Sequence, residues 1–283
     1  MELTSRLTPI KRNPLGALAT GLLLSAGWMM TGTFAMAQSM ESEKLTDSVT
    51  SLETSSSTMT GDELFEKLIE HNQLRDIRLE QYSATRTYKV TNPEGKVYAE
   101  EIVSVAYRAP NHKSFAVNQE SGSWLVRNSV LKRLMDSESE TSSGQAHRDS
   151  SIKPDNYSFN LIGEEDAGRH HCFVVEAIPK RKDKYLFEGN IWIDSQDYAI
   201  VKIAGHPAKS PSFWLNRVDF VRQYQKIGDF WVPAKDETVV HVRLYGKKIL
   251  TIDHQSYVIN KGDARDGQDQ NFTGPSLETQ REQ

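Results

Sequence analysis

Three neighbouring residues, His170, His171 and Cys172, have side chains that could bind a metal ion or supply a nucleophile. Because successive side chains of a strand point to opposite faces, only His170 and Cys172 could share one metal ion. No third ligand lies nearby in the sequence, so we expect neither a metal site nor a cofactor here. Cys172 precedes Phe173 and two valines, and this apolar run predicts a buried, inert thiol.

Composition and charge argue against several classes of function. The 283-residue chain has a single cysteine, so it can form neither an intramolecular disulfide nor a multi-cysteine zinc site. Its 34 basic and 38 acidic residues give a formal charge of −4, without the basic excess typical of nucleic-acid-binding proteins. No GxxxxGK[ST], HExxH or GxSxG pattern occurs, so the hypothesis of an enzyme has no motif to support it.

Residues 1–37 have the pattern of a signal peptide. Arg6, Lys11 and Arg12 precede an apolar stretch that ends at Ala35-Met36-Ala37, with small residues at the two positions that a signal peptidase reads. We predict cleavage after Ala37 and release into a bacterial periplasm. The apolar stretch is also long enough to cross a bilayer, so an uncleaved membrane anchor is the alternative.

The remaining chain divides into three parts by composition. Residues 38–60 are rich in serine and threonine, and residues 261–283 are rich in Gly, Asp, Gln and Glu. Both segments lack the apolar residues that would offset the entropy of ordering them, so we predict that they are disordered. Residues 61–260 are predicted to form one domain, and we expect the protein to be a monomer.

The domain is predicted to begin with a helix and to continue as strands. Thr60 and Glu63 have the spacing of a capping box, and the apolar residues that follow repeat on one helical face. From Tyr82 the apolar period changes to two, and the turn at 92–95 makes a hairpin with residues 97–108. A short second helix is predicted at 126–135, followed by a polar loop at 136–155. The other strands are predicted near residues 113–118, 156–163, 169–177, 184–194, 198–205, 213–225, 236–245 and 248–259.

About ten strands joined by short turns predict an α+β fold built on one antiparallel sheet. We expect a curved sheet, an incomplete barrel, whose concave face is covered by the N-terminal helix and the short inserted helix.

Four sequence motifs along the domain, taken in their order and spacing, resemble one known family. They are Arg108-Ala109-Pro110-Asn111-His112-Lys113-Ser114-Phe115, Gly122-Ser123-Trp124-Leu125, Gly189-Asn190-Ile191-Trp192-Ile193-Asp194 and Ile227-Gly228-Asp229-Phe230-Trp231-Val232-Pro233. This series is similar to the outer-membrane lipoprotein-sorting superfamily, which includes the periplasmic lipoprotein carrier, its outer-membrane receptor and a periplasmic regulator of envelope stress.

The resemblance implies a half-barrel whose concave apolar side holds acyl chains, without covalent chemistry. It implies that Arg108 helps to hold the helical cover closed. A surplus of aromatic residues in the domain is typical of the walls of a ligand cavity, although the same residues could form an ordinary core. With Arg108, the residues predicted to bind the ligand are Phe115, Trp124, Trp192, Trp214, Phe220 and Trp231. The expected partners are the acyl chains of a lipid or lipoprotein and a membrane-bound receptor or transporter.

Three alternatives stay open at this stage. A regulator with the same fold could sense lipid or lipoprotein and bind a membrane signalling partner. The Gly122-Ser123-Trp124 sequence also has the Gly-x-Trp form of lipocalins, although in those it lies at the first strand. The basic run 180–184 is expected to be a solvated hairpin tip, with docking to anionic headgroups or to an acidic partner as the other interpretation.

Overall fold

The computed structural model describes residues 59–110, 112–141, 148–210, 213 and 215–260. The predicted signal peptide (1–37), all but the last two residues of the predicted spacer (38–60) and the predicted tail (261–283) lie outside this range.

Ten strands form a single antiparallel sheet, as predicted, and the sheet is open and curved. In spatial order the strands run β3-β2-β1-β10-β9-β8-β7-β6-β5-β4, so β3 and β4 are its two edges. Every connection joins neighbouring strands except the long one from β3 to β4, and β1 pairs with β10 to join the two halves. The strands are β1 Gln81–Thr91, β2 Val97–Arg108, β3 His112–Gly122, β4 Tyr157–Ala167, β5 His170–Pro179, β6 Phe187–Asp194, β7 Ile200–Pro207, β8 Leu215–Ile227, β9 Phe230–Val242 and β10 Gly246–Ile259.

The first helix, α1, spans Gly61–Arg78 and begins at the predicted capping box. Thr60 Oγ1 accepts a hydrogen bond from the Glu63 N–H at 3.2 Å, and the Glu63 carboxylate accepts one from the Thr60 N–H at 2.8 Å. A Cβ at Gly61 would collide with the Phe159 carbonyl, so glycine permits the close approach of α1 to β4. The Phe65 ring then stacks on the Phe159 ring with centroids 3.7 Å apart.

The inserted helix, which we call α2, lies between β3 and β4 in the chain. It begins as a short α-helical segment at Trp124–Val126, continues as a π-helical segment at Arg127–Leu131 and returns to α-helix at Lys132–Thr141. It is therefore longer than predicted, because part of the polar stretch assigned to a loop is helical. In the described part of the chain, neither α1 nor α2 is long and apolar enough to span a bilayer.

Both helices pack on the same face of the sheet, which we call the inner face. One apolar cluster joins α1 to β4–β8, and a second joins α2 to β1, β2, β8, β9 and β10. A smaller cluster on the opposite, outer face contains Cys172, Val174, Trp192, Ala199, Val201 and Trp231.

Candidate functional site

A cleft of about 510 Å³ opens between the edge strand β3 and α2. We call it the α2–β3 cleft. Its side chains form an apolar group, a basic group and an acidic group. The apolar residues are Phe115, Val117, Trp124 and Met135; the basic ones are Lys113, Arg127 and Lys132; the acidic ones are Glu101, Glu120 and Asp136. Ser114, Asn128 and Ser139 complete the lining.

In the first half of β3, before its register shift against β2, the alternation places Lys113, Phe115 and Val117 under α2. Phe115 lies opposite Val105 of β2, and Val117 lies opposite Val103, so both point to the inner face beside two buried valines. Helix α2 buries Val130 and other apolar residues against the sheet and leaves its remaining surface to the cleft. The π-helical turn shifts the helical register by about one residue, a feature that is frequent at functional sites.

A buried ion triad holds α2 to the sheet beside the cleft. The Glu138 carboxylate of α2 accepts hydrogen bonds from the Arg86 guanidinium of β1 at 2.7 and 3.1 Å, and another from Lys113 Nζ of β3. All three side chains are at most 5% exposed. Burial disfavours the charged carboxylate, but the attraction of Arg86 and Lys113 outweighs it and lowers the pKa of Glu138 far below its usual range.

A second buried polar group lies on the inner face between the two apolar clusters. Arg222 Nη2 donates to Asp236 Oδ2 at 3.1 Å, and His254 Nε2 lies 2.9 Å from the same oxygen. Burial and the charge of Arg86 lower the pKa of His254, so its ring is neutral at pH 7. Tyr257 closes the group by donating to the Pro233 carbonyl at 3.0 Å.

The mouth of the cleft contains polar atoms that are incompletely paired. Arg127 donates to Glu120 Oε1 at 3.0 Å and to the Gly122 carbonyl at 2.8 Å, while its Nε is 3.8 Å from Glu101 Oε1. Among the described residues, Arg127 Nε and Glu101 Oε2 are buried without a hydrogen-bond partner. Burial, followed by the charge of Glu120, raises the pKa of Glu101. Because both atoms are buried, water or the polar end of a ligand could reach them only after neighbouring side chains move.

The structure separates the residues that the sequence grouped as a ligand site. Phe115 and Trp124 meet in the α2–β3 cleft, where the Trp124 side chain is 67% exposed. Phe220 lies in the α1 core with its ring edge toward Phe187. Trp192 and Trp231 are buried on the outer face, away from the cleft.

Two other predicted residues lie elsewhere. Arg108 is exposed at the last position of β2, and its guanidinium forms no hydrogen bond or ion pair with the described residues. Trp214 lies outside the described residues. The role of Arg108 in closing the helical cover stays a prediction.

The outer-face cluster around Cys172 has ordinary structural contacts. Cys172 is a buried free thiol, as predicted, and burial raises its pKa to about 11. His170 Nδ1 lies 2.9 Å from Asp194, and Trp231 Nε1 donates to Asp197 at 2.9 Å. No group of three or more His, Cys, Asp or Glu side chains in the described part of the chain could hold a metal ion.

The buried ions are the functional candidates that sequence reasoning missed. Arg86 lies at a core-facing position of β1, between the buried Ala84 and Tyr88. Asp236 likewise lies at a core-facing position of β9, in the same alternation as Val240. A charged residue at a core-facing position of an alternating strand could have indicated these buried ion pairs, because a buried charge needs a partner.

Comparisons with known proteins give similarities of fold only. A family model described as an "Uncharacterized protein"-like family matches residues 131–243, less than half of the chain. A search of curated proteins finds no match.

Three solved structures align with most of the domain. A DUF1329 family protein from Desulfovibrio piger has 12% identity and a TM-score of 0.41, covering 72% of this chain and 95% of that one. A putative outer membrane lipoprotein-sorting protein domain from Vibrio parahaemolyticus has 15% identity and a TM-score of 0.37, with 71% and 95% covered. A LolA superfamily protein from Nitrosomonas europaea has 11% identity and a TM-score of 0.38, with 72% and 96% covered. At these values the alignments assign no ligand and no activity to this chain.

Proposed function

We propose that this protein is an exported, non-enzymatic binding protein that holds an acyl chain of a lipid or lipoprotein in the α2–β3 cleft. Its role would be sorting or transport in the periplasm. The observation that carries the proposal is the cleft itself, about 510 Å³ with Phe115, Val117, Trp124 and Met135 in its walls. This volume falls within the range of small-molecule sites, which are mostly apolar with a few polar groups.

An acyl chain with an anionic headgroup fits the apolar and the basic groups of this lining. Each methylene removed from water contributes about 0.8 kcal/mol, so a few methylenes against Phe115 and Trp124 give measurable affinity. Lys132 is exposed on the α2 side of the cleft, where it pairs with Asp136 at 3.3 Å, and it could exchange this exposed partner for a phosphate or carboxylate. The Arg127 guanidinium, which already donates to Glu120 and to the Gly122 carbonyl, adds positive charge near the same opening.

Helix α2 is the element that would move to admit a longer chain. It is held by its apolar contacts, by the ion pairs of Arg127 with Glu120 and Glu101, and by the buried carboxylate of Glu138. The partners of Glu138, Arg86 and Lys113, lie on two different strands. Lifting α2 would join the cleft to the apolar cluster beneath it, and acyl burial would offset the broken contacts. The closed and open forms would then differ by little, as reversible binding requires.

Val117 provides the sharpest test, because the other edge strand offers a matched control. Val117 is 48% exposed on β3 in the cleft, and Ile162 is 54% exposed on β4, outside it. We expect Val117→Asp to weaken binding of a pyrene-labelled fatty acid at least ten-fold, because it puts a charge against the chain. Ile162→Asp should leave the affinity unchanged.

Mass spectrometry of lipids extracted from the purified protein provides the second test. We expect acyl species in stoichiometric amount from the unchanged chain and much less from Val117→Asp. Protein that carries no lipid and does not bind the pyrene probe would overturn the proposal. Equal binding by the two Asp variants would place the acyl chain outside the cleft.

A further inference from the structure

One end of the sheet exposes an unusual number of large apolar side chains. This end, which we call the hairpin end, is formed by the β1–β2, β5–β6, β7–β8 and β9–β10 connections and by the start of α2. Of the twelve exposed large apolar residues in the described part of the chain, seven lie here. The most exposed are Leu244 at 90%, Phe213 at 74%, Trp124 at 67% and Tyr245 at 50%.

The hairpin end is also strongly basic. Its four strand connections contain seven lysine or arginine residues and two acidic residues, and Lys247 and Lys248 follow directly in β10. The strand connections at the opposite end contain one basic and two acidic residues. The basic run at 180–184 belongs to the hairpin end, where Lys182 and Lys184 are exposed. A chain with an overall formal charge of −4 thus concentrates positive charge at one end.

Leu244 is the residue that a simple hairpin turn does not explain. It lies at the tip of the β9–β10 turn with φ of +70°, in the left-handed region that a bulky side chain rarely adopts. Asn or Gly would make the same turn without backbone strain and without exposing a leucine. Backbone strain of this kind clusters at functional sites such as active sites, ligand clamps and switch regions.

We propose that the hairpin end docks on the surface of an anionic lipid bilayer, with Leu244 inserted among the headgroups. Apolar and aromatic side chains surrounded by lysine and arginine are the chemistry that such an interface selects. Arg243 stacks on the Phe213 ring at 4.3 Å, and Lys96 and Lys248 lie 5.4 and 5.0 Å from the Tyr98 ring. These contacts keep positive charge beside aromatic rings at the level of the membrane surface.

The docking surface goes beyond the proposed acyl site and does not depend on it. The two share only Trp124, which lies at the hairpin end and also lines the α2–β3 cleft. A docked molecule would therefore present the opening of the cleft to the bilayer.

A local fluorescent probe can test insertion at position 244 independently of any other segment that binds lipid. Cys172 is the only cysteine and is buried, so a maleimide NBD label on the Leu244→Cys full chain goes to the tip. The matched control is Ile77→Cys, because Ile77 is 80% exposed on α1 at the opposite end. Vesicles of phosphatidylglycerol with phosphatidylcholine are compared with vesicles of phosphatidylcholine alone.

We expect a blue shift and protection from iodide at position 244 with the anionic vesicles only, and no change at position 77. Neutralising two exposed lysines, Lys182→Gln with Lys247→Gln, should weaken this response about 25-fold, about five-fold for each charge. Arg78→Gln with Arg169→Gln, at the opposite end, should leave it unchanged. An absent shift at 244, or an equal shift at 77, would overturn the proposal. A shift produced by an acidic protein but not by vesicles would assign the surface to a protein partner instead.

Discussion

The two helices cover the inner face in different ways. Under α1 the contacts are mainly apolar and tight: Leu64 and Phe65 are fully buried, and the Phe65 and Phe159 rings stack at 3.7 Å. Near the end of α1, the buried Arg75 donates to the Asp197 carbonyl. Under α2 the apolar contacts are shared with a buried ion triad centred on Glu138, and one side of the helix faces a cleft. The same sheet therefore carries one helix, α1, that packs closely on it and one helix, α2, that borders the α2–β3 cleft.

This difference suggests that the two halves have different local stabilities. Leaving the sheet would expose Phe65 and its apolar neighbours to water, so the burial of these side chains holds α1 in place. Helix α2 lies beside solvent, so water can reach the ions that it would expose on moving away. Segments of lower local stability are the ones that proteins use to admit ligands.

The largest effect is expected from removing the ring that seals α1. Phe65→Ala deletes a fully buried side chain and its stacking contact with Phe159, and should lower the free energy of unfolding by about 3–5 kcal/mol. Leu131→Ala is the matched change in α2, also at a fully buried residue. Its effect on global unfolding in urea should be smaller, because α2 can leave the sheet before the rest unfolds. Equal losses for the two variants would mean that the two covers unfold together.

Acid should release α2 and leave α1 in place. The pKa of Glu138 is lowered in the folded protein, so its ion triad stabilises α2 fully above the unfolded-state value of about 4.3. As the pH falls below that value, protonation is favoured when α2 is off the sheet, and the stabilisation is lost. Hydrogen exchange at low pH should therefore rise in Lys132–Thr141 before it rises in Gly61–Arg78.

Glu138→Gln is the control for this pH dependence. It leaves Arg86 and Lys113 without their carboxylate, so the free energy of opening α2 should fall by about 1.5–3 kcal/mol. The α2 amides should therefore exchange faster at neutral pH. The difference in exchange between α1 and α2 should then stop changing with acid in this range. If the variant keeps the acid response of the unchanged protein, another group holds α2.

The fold was predictable from local patterns because each element carries its own signal. The capping box set the start of α1, and the period of two with short turns gave all ten strands of the sheet. The end of α2 was missed for a physical reason. Glu138 makes the stretch look like a polar loop, yet the side chain is buried in an ion pair with residues 25 and 52 positions away.

The candidate site was less predictable, because it depends on which face each strand turns toward the helices. Trp192 and Trp231 belong to motifs that resemble the lipoprotein-sorting group, but Trp192 pairs with Val174 and Lys202 on the outer face. Ile191 and Ile193 face the α1 core, so the regular alternation of β6 turns Trp192 to the opposite face, and the motif itself does not mark which face the helices cover. Phe115 and Trp124 line the same cleft because only the second half of β3 and one turn separate them, and their role in binding stays a prediction.

The smallest effect on stability is expected at Trp124, and it sharpens the contrast between the two covers. The ring is 67% exposed at the start of α2, so Trp124→Ala should change the free energy of unfolding by no more than about 0.5 kcal/mol. The same change removes a wall of the cleft and should weaken binding of a pyrene-labelled fatty acid about ten-fold, as expected for losing part of an apolar contact.

Phe213→Ala is the matched control, since Phe213 is 74% exposed and outside the cleft. Urea unfolding and probe titration of both variants separate the two roles. A large loss of stability on Trp124→Ala would make this tryptophan part of the packing of α2, and an unchanged affinity would remove it from the acyl site.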